Sequence, residues 1–284
     1  MSRIAVVTPV AGRGAQLRAQ ERHLAALDNG PDVRVLVAMD DPGVARLAGD
    51  MPSTATHIVS VRRGRDGGLP LARARNAGIA AALERGADLI VLLDVDCLPG
   101  PTLLTAYAAG ANMLGDVPAL LCGPVTYLPA DAGAPDPEDL PAFTSPHAAR
   151  PVPPSGELVR GGDHRLFWSL SFAVTPATWE RLGGFHEGYD GYGGEDTDLG
   201  FTARARGVEL AWVGGAHAYH QHHPVSSPPV EHLASILRNA ALFHDRWGVW
   251  PMEGWLSAFA DLGLATYDGE TWRVTRAAGG GEAC

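Results

Sequence analysis

The chain has 284 residues, an apolar fraction of 46% and a formal net charge of −10. This is enough apolar residue for a sizeable core, and the acidic balance argues against nucleic acid, whose binding is dominated by basic groups meeting phosphates. All 22 basic side chains are Arg, and the lack of Lys removes Schiff-base chemistry and a P-loop lysine.

Residues 3–10 (RIAVVTPV) read as a first strand ending in a Thr-Pro turn, and 14–27 have helical spacing through Leu17, Leu24 and Leu27. A second strand at 32–39 closes on the acidic turn Asp40-Asp41-Pro42-Gly43, and 57–61 is a short third strand. Residues 71–85 predict an Ala-rich helix stopped by Gly86. An apolar run then ends abruptly at Asp94, Val95 and Asp96, with Cys97 reading as a small packed hydrophobe. A helix at 101–114 and a strand at 119–127 follow. Strand and helix alternating at this interval predict a parallel sheet covered by helices, an α/β fold.

Composition changes at residues 129–157, which hold eight prolines and no periodicity, so a loop outside the core is expected. The structured chain resumes near Phe167, with a strand in FWSLSFAVTP and a short helix at 176–182. Gly-rich residues 183–194 lead into a helix at 196–206, ended by Gly207, and a final strand at 209–213. Helical stretches at 230–247 and 251–264 flank a Trp-rich turn, and the GGGEAC tail reads as unstructured. The reading therefore divides at 224, with a Pro-rich loop at 129–158 between halves 1–128 and 159–224, and a helical extension at 225–284. Three Cys make no disulfide framework, and no C-x-x-C pair points to zinc. The N-terminal apolar run is too short for a signal peptide and no stretch has the length of a membrane span. The expected location is cytoplasmic, with peripheral membrane contact left open.

Two stretches carry the chemistry. LIVLLDVDCLPG places two carboxylates, Asp94 and Asp96, where a buried strand ends, the edge at which open α/β sheets bind ligands. Side chains one residue apart on a strand face opposite ways, so both can meet one ligand only where the strand is ending. GGFHEGYDGYGGEDTDLG places Glu195, Asp196 and Asp198 at a helix start, where the macrodipole favours ionised carboxylates. On this basis Asp196 is expected to be a ready base at neutral pH, and Asp198 a helix-end charge with no catalytic part. HAYHQHHP adds His217, His220, His222 and His223, and imidazole with carboxylate suits Mn²⁺.

Together these stretches resemble the signature of GT-A fold glycosyltransferases, family-2-like in detail and closest in the G-G-E-D motif to galactosyl- and N-acetylgalactosaminyltransferases. The resemblance covers roughly residues 3–224. It implies a Rossmann-like, mostly parallel sheet and an inverting transfer from a UDP-sugar to an acceptor hydroxyl, assisted by Mn²⁺ or Mg²⁺. By the resemblance, Asp96 ligates the cation with one His after the last strand, His220 first and His222 second. Asp196 is the base that takes the acceptor's proton, and Glu195 hydrogen-bonds a sugar. Thr8, Pro9, Arg13, Asp40, Asp41, Arg75, Asn76, Asp94, Val95, Gly193 and Gly194 would surround the nucleotide-sugar. Trp168, Trp212 and Tyr192 are candidates to stack on sugar rings. The acceptor is open among carbohydrate, lipid and small molecule.

Competing readings fit less well. A sugar-1-phosphate nucleotidyltransferase normally has a G-x-G-T-R loop and catalytic lysines, whereas here the loop is VAGRGAQ and Lys is absent. A haloacid-type phosphohydrolase would carry D-x-D on its first strand. A non-catalytic nucleotide-sugar-binding protein is opposed by the intact Glu195-Asp196 pair.

Overall fold

The computed structural model describes residues 2–49, 56–64, 67–224 and 226–275; the GGGEAC tail lies outside them. The first half alternates as read from the sequence: β1 (Ile4–Val10), α1 (Gly14–Ala25), β2 (Val33–Met39), α2 (Gly43–Gly49), β3 (Thr56–Val61), α3 (Leu71–Glu84) and β4 (Leu89–Leu93). There follow β5 (Cys97–Pro99), α4 (Leu103–Leu114), β6 (Ala119–Cys122) and β7 (Val125–Tyr127). The second half holds β8 (Leu158–Arg160), β9 (Ser171–Val174), α5 (Pro176–Leu182), α6 (Glu195–Ala205), β10 (Glu209–Val213) and β11 (Ala218–His220). Helices α7 (Leu233–Trp247) and α8 (Glu253–Asp261) and a hairpin of β12 (Ala265–Tyr267) and β13 (Trp272–Val274) close the described chain.

Eight strands form one sheet in the order β3-β2-β1-β4-β9-β6-β10-β8. Strands β3, β2, β1 and β4 run parallel, and β9 pairs antiparallel with both β4 and β6. Strands β1, β2 and β4 are near-continuous Val, Leu and Ile runs because helices cover the sheet on both faces. One core, holding Val7, Val37, Ile90, Leu92, Phe172 and Trp212, lies on one face; Val6, Val91, Leu104 and Leu121 form the other. The chain reverses its direction of strand addition between β1 and β4, so the carboxyl ends of these two strands form the crevice where such sheets bind ligands.

The mostly parallel sheet is as expected, with β9 and the edge strand β8 running antiparallel. Several other expectations are corrected. The single strand expected at 119–127 is two, in different sheets. It breaks at Gly123, where a Cβ would collide with the carbonyl oxygen of Ala216. Strand β10 is not the last: β11 follows and builds a three-stranded sheet, β5-β11-β7. The Pro-rich segment contributes to the interior, because Leu140 packs with Ala19, Leu98, Leu128 and Tyr219, and Arg150 is buried. The C-terminal extension includes the β12–β13 hairpin as well as helices. No helix among the described residues is long and apolar enough to cross a membrane.

Candidate active site

The floor of the site is the turn from Asp94 to Asp96. Strand β4 ends one residue before it, and β5 begins one residue after. The Gln20 side-chain amide donates to the carbonyls of both Asp94 (2.7 Å) and Cys97 (2.8 Å), clamping the two ends of the turn. The Gln20 carbonyl accepts in turn from Thr8 Oγ1 (3.0 Å) and Arg34 Nη2 (2.8 Å), and Arg34 Nε donates to Glu21 (2.8 Å). Thr8, Gln20, Glu21 and Arg34 are all buried, so their polar atoms depend on protein partners. Thr8, expected beside the nucleotide, instead spends its hydroxyl on Gln20 and supports the turn from beneath. Sequence reading missed Gln20 and Arg34; the available signal was one Arg inside the otherwise apolar strand VRVLVAM.

Arg75 links the two acidic motifs. It projects from α3 and is almost fully buried. Its Nη2 donates to both carboxylate oxygens of Asp94 (3.1 and 3.2 Å), and its Nη1 to Glu195 Oε1 (3.0 Å). Burial alone would lower the guanidinium's affinity for its proton, but the charges of Asp94 and Glu195 reverse this and hold it ionised. Asp94 is pushed up by burial and pulled back by Arg75. Two sequence motifs a hundred residues apart therefore share one cation, and Arg75 is not a surface residue.

Asp96 faces the other way. Strand β11 pairs with β5 so that His220 lies opposite Cys97, and the Gln221 N–H donates to the Asp96 carbonyl (2.7 Å). This register brings His220 Nε2 to 3.5 Å from Asp96 Oδ1, and the following turn folds His223 Nε2 to 3.4 Å from Asp96 Oδ2. One ligand atom from each of Asp96, His220 and His223 lies within 4.8 Å of the others, a spacing one cation can bridge. The second choice from the sequence, His222, is exposed and outside this cluster. His217 is also outside it, bonded to Thr126 Oγ1 at 2.7 Å. Burial works against ionisation of Asp96, but the hydrogen bond to His223, with the neighbouring His220 and the Arg13 charge, outweighs it. Burial lowers the pKa of His220 and so favours the neutral imidazole that a metal requires. The donor set, one carboxylate and two imidazoles, suits a divalent metal ion.

Gly194 precedes α6 with φ of 97°, a left-handed conformation that favours glycine. It delivers Glu195 and Asp196 to the cleft. Around Asp196 the expectation of a freely ionised base is corrected. Burial first, and the neighbouring Glu195 second, push it up to about 7, against the pull of Arg75 and the Thr197 N–H. Asp198 differs more sharply from its reading. It is buried and accepts from Tyr189 Oη (2.9 Å), Arg246 Nε (2.7 Å) and Trp247 Nε1 (2.7 Å). The Gly-rich loop is held from the same side: Asn239 of α7 donates to the carbonyls of Tyr192 (3.2 Å) and Gly193 (2.8 Å).

The remaining expected donor contacts divide. Arg13 lies 3.7 Å from Asp96 and is part exposed, at the crevice. Pro9 and Val95 are buried. Asp41 accepts from the N–H groups of Gly12 (2.7 Å) and Gly43 (2.9 Å), and Asp40 from Arg63 (2.6 Å), so both acids order the loops after β1 and β2. Asn76 is corrected: its amide is engaged by the backbone of Phe185 in both directions and by Glu187, pinning the loop before α6. Trp212, a candidate sugar platform, is fully buried.

Fold and site define a class, the GT-A fold of the glycosyltransferases, and comparison with known proteins bears this out. The family described as the N-terminal domain of galactosyltransferase matches residues 163–224, the segment with the Gly-rich loop, α6 and β11. A validoxylamine A glucosyltransferase from Streptomyces hygroscopicus subsp. limoneus is 28% identical over 231 residues, covering 73% of this chain and 49% of that protein. The chain thus spans about half the length of this relative. S. aureus TarS 1–349 in complex with UDP-GlcNAc superposes with a TM-score of 0.56 at 12% identity, covering 84% of this chain and 66% of that one. GalNAc-T7 with UDP, GalNAc and Mn²⁺ gives a TM-score of 0.51 at 13% identity, covering 92% and 57%. At such identities the two structures speak to the fold alone.

Proposed function

We propose that this chain is an inverting glycosyltransferase that moves a sugar from a UDP-sugar to an acceptor hydroxyl with the help of a divalent cation. The observation that carries the reading is the juxtaposition made by Arg75. It ties Asp94, next to the Asp96–His220–His223 cluster, to Glu195, next to Asp196. Four carboxylates thereby converge on one crevice with Arg75 and Arg13 as their cationic partners. A diphosphate entering there adds negative charge, which a cation held by Asp96, His220 and His223 would offset. When bound it acts as a Lewis acid on the phosphate oxygens.

The protein's own residues do the rest. Arg13 stands at the mouth of the crevice to meet donor phosphate. Arg75 holds Asp94 and Glu195 in fixed positions, so that Glu195 can accept a hydrogen bond from a sugar hydroxyl at its free oxygen. Asp196 receives the proton of the attacking acceptor hydroxyl, and one displacement inverts the anomeric centre. Two structures that share this fold, TarS with UDP-GlcNAc and GalNAc-T7 with UDP, GalNAc and Mn²⁺, hold such a donor and such a cation.

The test is a panel of UDP-sugars assayed for UDP release with Mn²⁺ and with chelator. The expected outcome is release from at least one donor, dependent on the cation and faster with a competent acceptor, giving a product of inverted configuration by NMR. Chelator-resistant release, or a product of retained configuration, would overturn the cation role or the single displacement respectively.

A further inference from the structure

Tyr127 and Tyr192 are large rings left 49% and 39% exposed, Tyr127 beside His220 of the cation cluster and Tyr192 in the Gly-rich loop before Glu195. Tyr192 is backed by His232, stacked at 4.6 Å, and by Trp255. Tyr127 lies 4.9 Å from the ring of His220 and begins an aromatic strip leading away from the cation cluster. Next in the strip is His147, edge-on to Tyr127 at 6.0 Å, and then Trp168, edge-on to His147 at 5.0 Å.

The strip is built by the Pro-rich segment returning to the sheet. The His147 N–H donates to the Val125 carbonyl (2.8 Å), and Thr144 Oγ1 meets Tyr219 Oη at 2.6 Å. Behind Trp168 the Arg150 guanidinium is buried between Trp168 (5.1 Å) and Trp212 (5.0 Å). Its nitrogens have no hydrogen-bond partner among the described residues. Two indole faces supply its electrostatic compensation. The Arg is packed against Trp168 and presents no accessible nitrogen to the cleft.

We infer that the strip Tyr127–His147–Trp168 is the acceptor subsite, and that the acceptor presents a six-membered polyol ring, a sugar or cyclitol, to it. This rests on the glycosyltransferase reading above. The chemistry selects the occupant. An aromatic face is negative and attracts the slightly positive C–H face of a pyranose, while ring hydroxyls turned outward stay hydrated. A phosphate or carboxylate group would need an accessible cation, and Arg150 is sealed. An alkyl chain would need an aliphatic groove, and the strip carries an imidazole and a phenol. On the glycosyltransferase reading the donor's nucleotide occupies a different place, the crevice at the carboxyl ends of β1 and β4 on the Arg13 side. Rings already fixed by their neighbours lose little freedom on binding, which favours a weakly interacting ligand such as a sugar.

The experiment is saturation-transfer NMR on the full chain, irradiating aromatic protons, with and without UDP and Mg²⁺. The probes are the methyl pyranosides of glucose, galactose and N-acetylglucosamine, with myo-inositol, and sorbitol as the acyclic control. At least one ring polyol is expected to receive saturation at its ring C–H protons, with sorbitol receiving none and UDP not competing. His147→Ala and Trp168→Ala should each weaken that binding about fivefold, and Trp168→Tyr should restore most of it. His147 is exposed, so its variant keeps the test valid if Trp168→Ala fails to fold. No saturation of any ring polyol, equal saturation of sorbitol, competition by UDP, or unchanged binding by His147→Ala would overturn the inference. Failure of UDP itself to bind would instead sink the donor reading, and the arm without UDP still decides the acceptor question.

Discussion

At Asp196, burial and the adjacent Glu195 raise the carboxyl to about 7, so its carboxylate fraction changes across the neutral range. A general base works deprotonated. With the pKa raised, the working form is scarce below pH 7 and full above it, so kcat/KM should rise through about pH 7 rather than near the ordinary carboxylate range. Asp196→Asn should remove that limb and cost on the order of 10²–10⁴ in transfer rate, while UDP affinity holds because the residue acts on the acceptor's proton. Rates from pH 5 to 9, with UDP titrations of the variant, check both. A rate flat across pH 6–8 would remove Asp196 from the base role. The D-x-D and E-D carboxylates are legible in the sequence because adjacent letters at a strand end and a helix start define them. His223 is not legible, because its approach to Asp96 depends on how the chain turns after β11, which the repeated His residues do not specify. Arg75 is ambiguous for a similar reason: an Arg on an Ala-rich helix is buried here only because two distant carboxylates meet it.

Helix α7 is less an appendage than a wall of the site. Its Asn239 holds the carbonyls of Tyr192 and Gly193, its Ser235 hydroxyl accepts from the Tyr192 N–H at 3.3 Å, and its Arg246 and Trp247 bond Asp198 of α6. The sequence reading separates this helix at residue 225 because the motif pattern ends there, and an amphipathic period does not name the surface it covers. The same limit applies to the Pro-rich segment, whose lack of periodicity conceals Leu140 and Arg150. Asp198→Ala would leave the Arg246 charge, the Trp247 N–H and the Tyr189 hydroxyl without their shared acceptor. Such a loss should cost about 3 kcal/mol and lower Tm by roughly 6–12 °C. Because α7 also positions the Gly-rich loop, transfer should fall in the folded fraction as well. A melt within about 2 °C of wild type would mean that α7 is held by its apolar face alone.

Across the whole molecule, the site is assembled from both halves of the chain. The first half supplies Arg13, Arg75, Asp94 and Asp96, and the second supplies Glu195, Asp196, His220 and His223. Without a ligand, carboxylates from both halves are held against each other by Arg75, on a chain whose net charge of −10 already opposes a diphosphate. The cation and the nucleotide should therefore bind as a linked pair, each lowering the electrostatic cost of the other. A ligand that binds only the native state at about 100 times its Kd stabilises it by about 2.7 kcal/mol, a rise in Tm of roughly 5–11 °C for a chain of this size. UDP with Mn²⁺ should give a shift of that order, and UDP with chelator a much smaller one. Asp96→Ala should abolish the cation-dependent part. His223→Ala should reduce it and His222→Ala should leave it intact, since His223 and not His222 approaches Asp96. Equal shifts with Mn²⁺ and with chelator would remove the cation from donor binding, and a larger loss in His222→Ala than in His223→Ala would mean that the turn after β11 closes differently on the bound metal.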